Sequence, residues 1–485
     1  MPINSFLYPG AKVAASFEST NSLIFDGSTD YLSRTQGSAT NQKKGTVSFW
    51  IKRTKLGSNM RVITNYNDSN NYAYIRFNSD DQLQHYVLSG GSAIGHLKTT
   101  RVFRDPSAWM HVVLIIDTTQ GTAANRIKIY VNGVQETDFA TETYPDQNAD
   151  HPLFASSASG NHFIGRHNTD SQYLNGYLGE FVKIDGTAEA QTSFGEFDTD
   201  SPSIWKPIDP SGLTFGNNGY YLDFEDSSAL GADVSGNSNS FTVNNFDATK
   251  AHSTDNCSNN LATLNPIQIL GPATTQFQEG NMQFSATNSY WANTFSTIAF
   301  TKGKWYAEFK VVTLASSTGY GNAGIADINA ADDNTSESTI NANGESAGVI
   351  FDHRSGQSAL KSGGSSVTSN IGNFSANDIV GLAVDMDNKA LYVHLNGTYY
   401  QINSVTGVPT SGSSKTGAIT IPASVVDCAF TIGSYSDKSE TAVNFGSPFY
   451  SISSSNSDAN GYGDFEYSVP SGYYTLNTKN LAEFG

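Results

Sequence analysis

One motif occurs twice in this chain and constrains its fold more than any other feature. Residues 111–133 read HVVLIIDTTQGTAANRIKIYVNG, and residues 379–397 read IVGLAVDMDNKALYVHLNG. Each is an apolar run, a polar turn, and an alternating strand that ends in Asn-Gly. A type I′ hairpin turn needs positive φ at both central residues, and Asn-Gly supplies it at low steric cost. Two such meanders, far apart in the chain, predict two antiparallel β domains.

Composition points the same way. Charged residues make up 15%, with 44 Gly, 24 Tyr and 28 Phe, and runs of Ala, Glu, Lys and Leu at helical spacing are missing. The expected fold class is all-β, with two antiparallel β-sandwich domains in tandem. The net charge of −18 repels phosphate backbones, so nucleic acid is not an expected partner. The densest basic stretch, Asn41-Gln42-Lys43-Lys44, reads as a solvated loop. No apolar run approaches the roughly 18 residues of a membrane helix, so no membrane insertion is expected. MPINSFLYPGAKVAAS, at the start, lacks the basic region and apolar core of a secretory signal, which sets an expectation of assembly in a cytoplasm. Cys257 and Cys428 are expected to be reduced.

In chain order, residues 1–20 carry Phe6, Leu7, Tyr8 and Phe17 and suit either a flexible arm or a docking segment. The first sandwich is expected over 21–194, from strands such as SLIFDG, GTVSFWIKR, NYAYIRFN and QLQHYVL. In GTVSFWIKR, Val47, Phe49 and Ile51 point one way and Ser48, Trp50 and Lys52 the other. A Trp on the second face means that this face is covered or is a ligand platform. Residues 195–264 hold Trp205, Tyr220, Tyr221, Phe224 and Phe241, too aromatic for a free linker, and are expected to form an ordered strap. The second sandwich is expected over 265–450 and a closing tail over 451–485.

Certain words resemble known families. SLIFDGSTDYLS, GTVSFWIKR, WMHVVLIIDTT, IKIYVNGVQ and YLNGYLGEFVKIDG resemble a laminin-G-like jelly roll of the concanavalin A type. GKWYAEFKV, GNAGIAD, NDIVGLAVDMDNKALYVHLNG and NFGSPF resemble a SPRY domain, a protein-recognition module without catalytic residues to carry over. FGEFDTDSPSIWKP, YYLDFEDSSALGADVSGNSNSFT and SGYYTLNTKNL are similar to segments of bacteriophage virion proteins, notably marine ones. That resemblance implies a homo-oligomeric virion protein on a head or tail, a fibre, spike or decoration, with other virion proteins as partners. Resemblance to laminin-G-like domains also makes Asp26, Asp30 and Glu180 candidate calcium ligands. The alternative for Asp26 is ordinary turn capping before Gly27. No other cofactor is implied.

Glycan recognition needs flat apolar platforms beside amides and carboxylates. Tyr66, Asn67, Asp68, Asn70 and Tyr72 cluster in one stretch, and Asn168, Asp170 and Tyr173 in another. These are the candidate contacts for a host-surface glycan or protein. Glu196, Asp198 and Asp200 share one face if extended, as do the acidic strands of concanavalin-type glucanases. They depart from the Glu-x-Asp-x-Glu order and lie beside Pro202, outside the jelly-roll words. The nine histidines lack metal-ligand spacing, and no Gly-x-Ser-x-Gly elbow is present. The chain is therefore expected not to be an enzyme. Binding ranks first, a purely structural role in virion assembly second, and glycan hydrolysis third.

Overall fold

The computed structural model describes residues 17–157, 161–288, 290–314, 320–330, 340, 344–352, 358–435 and 439–485, so most of the arm expected over 1–20 lies outside the described residues. Two β-sandwiches follow one another. In sheet one the strands run, in spatial order, Val134–Gln135, Ile127–Val131, Met110–Asp117, Lys44–Arg53, Asn175–Asp185, Ser22–Asp26 and His252–Ser253. Sheet two runs Phe139–Thr143, Ser92–Val102, Gln82–Ser89, Asn71–Phe77, Met60–Asp68, His162–Ile164, Tyr31–Arg34 and Thr242–Asn244. Period-2 alternation sends Phe49, Ile51, Val112, Leu114, Ile75 and Phe77 into the space between them.

The second sandwich repeats the plan. Sheet three is built on Trp291–Ser296, Cys428–Tyr435, Tyr320–Asp327 and Ser346–Asp352. Sheet four is built on Ser439–Asn444, Lys304–Leu314, Ile379–Asp385 and Ala390–Leu395. Trp305, Phe309, Val380, Leu382, Phe430 and Phe445 fill the core. Cys428 lies buried in this core and Cys257 is half-buried elsewhere, both as free thiols.

The two meanders close in the same way. Asn132 and Gly133 take φ of 47° and 77°, and Asn396 and Gly397 take 49° and 82°. Each asparagine also clamps the strand beside it. The amide N–H of His111 donates to Asn132 Oδ1 at 2.8 Å, and that of Ile379 donates to Asn396 Oδ1 at 2.9 Å. Each glycine lies under a ring from later in the chain. A Cβ would sit 2.3 Å from Trp205 at Gly133 and 2.8 Å from Tyr467 at Gly397.

Residues 195–264 do more than lie against the first sandwich. Tyr220–Leu222 pairs with Asn175–Asp185, Thr242–Asn244 with Tyr31–Arg34, and His252–Ser253 with Ser22–Asp26. The same stretch covers the outer face of sheet one. Trp50 stacks on His111 at 4.7 Å, and His111 stacks on Trp205 at 6.1 Å. Lys52, with no exposed side-chain surface, is held by Asp255 at 2.8 Å, Asn260 Oδ1 at 2.8 Å and the Leu261 carbonyl at 2.9 Å. The second sandwich docks beside this point. Tyr177 donates to the Gly280 carbonyl at 2.8 Å, and Asn281 Nδ2 donates to the Thr54 carbonyl at 3.0 Å.

The tail covers the outer face of sheet four. Phe465 and Tyr473 pack on Tyr306, Ala383 and Tyr392. Glu308 accepts the amide N–H groups of Glu466 at 3.0 Å and Tyr467 at 2.8 Å. A short helix, Thr478–Phe484, ends the chain, with Asn477 as its N-cap. No described helix is long and apolar enough to cross a membrane.

Candidate functional site

Among the described residues, no strap or tail segment pairs across the centre of the outer face of sheet two. In Asn71–Phe77, Ala73, Ile75 and Phe77 are buried in the core, which places Tyr72, Tyr74 and Arg76 on the outside. Register then assembles three rows across neighbouring strands. Tyr66 stands opposite Tyr72. Thr64, Tyr74, Tyr86 and His96 form the second row, and Arg61, Arg76, Gln84 and Lys98 the third.

The tyrosines make a continuous surface. Tyr66 stacks on Tyr72 at 6.0 Å, Tyr72 on Tyr74 at 6.3 Å, and Tyr74 on Tyr86 at 5.4 Å. His96 meets Tyr86 edge-on at 5.3 Å. Tyr66, Tyr72, Tyr86 and His96 are half-buried, so their rings remain partly open to solvent. The Arg61 guanidinium lies 3.6 Å above the Tyr74 ring, at cation–π distance.

The loop after His162–Ile164 closes one side of this face. Gln172 Oε1 accepts from Arg61 Nε at 3.1 Å and Arg76 Nη1 at 3.3 Å, and the Gln172 carbonyl accepts from the Arg61 amide at 2.9 Å. Tyr173 lies 6.5 Å from Tyr31, and Arg166 lies 3.8 Å above Tyr31. Burial, together with Arg61, Arg76 and Arg166, pushes the His167 imidazole down to about 4. Burial, partly offset by Tyr74, lowers the Arg61 guanidinium to about 9.

The two stretches singled out in the sequence thus border one face. Tyr66 and Tyr72 are part of its tyrosine surface, and Tyr173 lies at its margin. Asp68 is occupied instead in turn formation. Its carboxylate accepts from the Asn70 amide at 2.7 Å and Asn71 Nδ2 at 3.0 Å, and these bonds hold it below the usual carboxylate range. Asn67 and Asn70 are exposed at that turn, and Asn168 is half-buried in the closing loop. Asp170 pairs with Arg166. Sequence reasoning missed Arg61, Tyr74, Arg76, Gln84, Tyr86, His96 and Lys98. The Tyr-x-Tyr-x-Arg alternation in NYAYIRF was the signal that could have found two of them, Tyr74 and Arg76.

The calcium candidates do not form one site. Asp26 pairs with Asn175, whereas Glu180 lies further along that strand, roughly 17 Å away at the rise of extended chain. Glu180 sits at a register shift with φ of 47° and accepts from Tyr221 Oη, and burial pushes its carboxyl up to about 7. Asp26 accepts hydrogen bonds from Ser28, Thr29 and Asp30, which outweigh its partial burial and keep it below its ordinary value. Asp26 and Asp30 do line a cavity of about 190 Å³ with Asp247 and Glu279. The cation there is Lys250, 3.0 Å from Glu279 and 3.9 Å from Asp247. Among the described residues, no group of three or more His, Cys, Asp or Glu is placed to hold a metal ion.

Two constellations with the look of catalysis are structurally engaged. Glu196 and Asp198 both lie near Lys206, at 3.4 Å and 3.2 Å, on the hairpin Gly195–Phe197/Trp205–Pro207. Asp200 donates its own amide to Asp198 at 2.9 Å. Ser48 Oγ lies 2.7 Å from His111 Nε2, but His111 Nδ1 accepts from Trp205 Nε1 at 2.9 Å. The proton therefore sits on Nε2, which donates to Ser48 and leaves no base to take the serine proton. Burial pushes His111 down to about 3.

Comparison with known proteins places the first sandwich. Residues 26–192 match the family model described as the concanavalin A-like lectin/glucanases superfamily. This sandwich is a laminin-G-like, concanavalin A-like jelly roll. Among solved structures, the SPRY domain of human HERC1 is 11% identical with a TM-score of 0.28, over 37% of this chain and 96% of that one. Domains LG4-5 of the mouse laminin alpha1 chain are 9% identical with a TM-score of 0.28, over 91% of this chain and 93% of that one. The heptameric SAP-like pentraxin of Limulus polyphemus is 15% identical with a TM-score of 0.27, over 36% of this chain and 78% of that one. No curated protein matches the chain by sequence.

Proposed function

We propose that this chain is a non-enzymatic recognition protein that binds surface glycans through the tyrosine face of its jelly roll. The observation that carries the reading is the contrast between outer faces. The strap covers sheet one and the tail covers sheet four, while Tyr66, Tyr72 and Tyr86, stacked around a buried Tyr74, stay partly open to solvent. Flat aromatic surface beside amides and guanidinium groups suits a sugar ring, which presents an apolar face and a polar edge. The matching family description, which includes lectins, supports a binding role. The resemblance to phage virion segments supports a setting on a virion, on head or tail, where other virion proteins hold the chain. Many copies, or a homo-oligomer, would there turn weak single contacts into firm attachment to a host surface. Calcium has no part in this mode of binding.

The test is adsorption of the purified chain to a panel of immobilised polysaccharides. Removing an aromatic anchor at a binding hot spot costs about 2 kcal/mol. The Tyr72→Ala/Tyr86→Ala variant should therefore lose at least about tenfold in affinity for any polysaccharide that the parent binds. Val134→Ala, at an exposed position on the edge of sheet one, should bind as the parent does. Failure of the parent to bind any member, or equal binding by the tyrosine variant, contradicts the reading.

A further inference from the structure

The third row of the face supports a narrower statement, which rests on the glycan-binding reading. Arg61 and Arg76 stand directly opposite each other on adjacent strands, and Lys98 follows across Gln84. Like charges facing across a ladder are unfavourable. Carboxylates usually relieve such a row, yet among the described residues Arg61, Arg76 and Lys98 have no carboxylate partner within ion-pair distance. Burial, with Lys98 and Arg76 for His96 and Arg61, Arg76 and Arg166 for His167, lowers both imidazoles beside them. At the margin, Asp170 is taken up by Arg166 and Asp68 by its turn at Asn70 and Asn71.

Arg61 adds an independent observation. It is 4% exposed, its charge is met by the Tyr74 ring and the Gln172 amide, and its Nη1 has no hydrogen-bond partner. A buried guanidinium with an unfilled donor is costly, and its uncompensated charge adds positive potential behind Arg76 and Lys98. The chain as a whole carries −18, so this cationic row runs against its overall charge.

We infer that the face is specific for acidic polysaccharides: sugar rings lie on Tyr66, Tyr72 and Tyr86, while a carboxylate or sulfate group is met by Arg76 and Lys98. Arg61 and Gln172 act behind them as positioning residues, holding Arg76 in place and adding positive potential. A neutral glycan would leave the row uncompensated. A nucleic acid offers the same charge, but its polyanionic backbone would also meet the acidic remainder of the surface.

The experiment compares binding of the full chain to polygalacturonate, dextran sulfate and neutral dextran. Retention on at least one of the two anionic polymers and none on dextran is expected, and the polymer retained says whether carboxylate or sulfate is preferred. Binding should weaken as salt rises from about 0.05 to about 0.5 M. Arg76→Gln should lower affinity at least tenfold and Lys98→Gln severalfold, with unchanged thermal unfolding as the folding control. Tyrosine-dependent binding that is equal on dextran, or unaffected by Arg76→Gln, overturns the inference while leaving the glycan-binding reading intact. Binding to none of the three polymers or to any other glycan removes both. Displacement of bound polysaccharide by an equal charge concentration of single-stranded oligonucleotide also overturns it.

Discussion

Replacing Asp255 with alanine should destabilise the protein by about 3–5 kcal/mol, the cost of leaving a buried charge without its partner. Lys52 Nζ has no water to turn to, because its side chain is fully buried between sheet one and the segment that leads into the second sandwich. Asp255 neutralises it at 2.8 Å and spends its other oxygen on Trp109 Nε1 at 3.0 Å and the Leu261 amide at 3.1 Å. Alanine orphans the Trp109 and Leu261 donors and leaves the Lys52 charge with only the neutral oxygens of Asn260 and Leu261. The site joins the two sandwiches, so their docking should loosen along with local packing. Denaturant unfolding followed by tryptophan fluorescence measures the loss. A Lys52→Met/Asp255→Leu variant should recover most of it, because removing both charges avoids the desolvation penalty. A loss below about 1 kcal/mol for Asp255→Ala would mean that the ammonium finds solvent.

The second large effect is acid sensitivity, with a sign set by buried histidines. His85 Nδ1 donates to the Tyr74 carbonyl at 2.9 Å, and its Nε2 faces His151 Nε2 at 3.2 Å. His151 Nδ1 accepts from the Leu153 amide at 3.2 Å, so His151 Nε2 carries the shared proton. One further proton on either ring breaks a hydrogen bond. Burial holds His85 and His394 down to about 4 and His111 to about 3, and puts His151 and His162 well below the ordinary value. A histidine depressed in the folded state stabilises fully above the unfolded value of about 6.5. Below that the unfolded chain takes up the proton first, at a cost of about 1.4 kcal/mol per pH unit for each ring. Asp30 and Glu180, both raised to about 7, and Glu308, raised by burial, act in the opposite direction as the pH falls. The depressed rings outnumber the raised carboxyl groups, so the folded state loses stability as the pH falls from about 6 towards 4.5. Urea midpoints at pH 7.5 and pH 5 should differ accordingly, and equal midpoints would show that the rings charge freely.

The legible part of the fold was the part written in local pattern. Asn-Gly after an alternating strand requires a type I′ turn, and both turns have it. Val47, Phe49 and Ile51 point inward because a strand has period 2. Trp50 on the second face implied a cover or a platform, but its partners are His111 and Trp205, which local pattern cannot join to it. Thr242–Asn244 is too short to show any alternation, so its place at the edge of sheet two was hidden. The binding face was legible by halves. Tyr66 and Tyr72 stood out, but the Arg61–Arg76–Gln84–Lys98 row exists only through register between strands, which two bulges in the Met60–Asp68/Asn71–Phe77 pairing alter. Glu180 was grouped with Asp26 by resemblance to laminin-G-like domains; the bulge at Gly179 turns it toward Tyr221 instead.

The most direct measurement of where this protein recognises its ligand is hydrogen–deuterium exchange with the tightest-bound oligosaccharide from the polysaccharide panel. Protection is expected in peptides covering Met60–Asp68, Asn71–Phe77, Gln82–Ser89 and the loop around Gln172. Protection confined to the rim near Asp26 and Asp247, or to the second sandwich near Trp291 and Tyr435, would contradict assignment of the site to the tyrosine face.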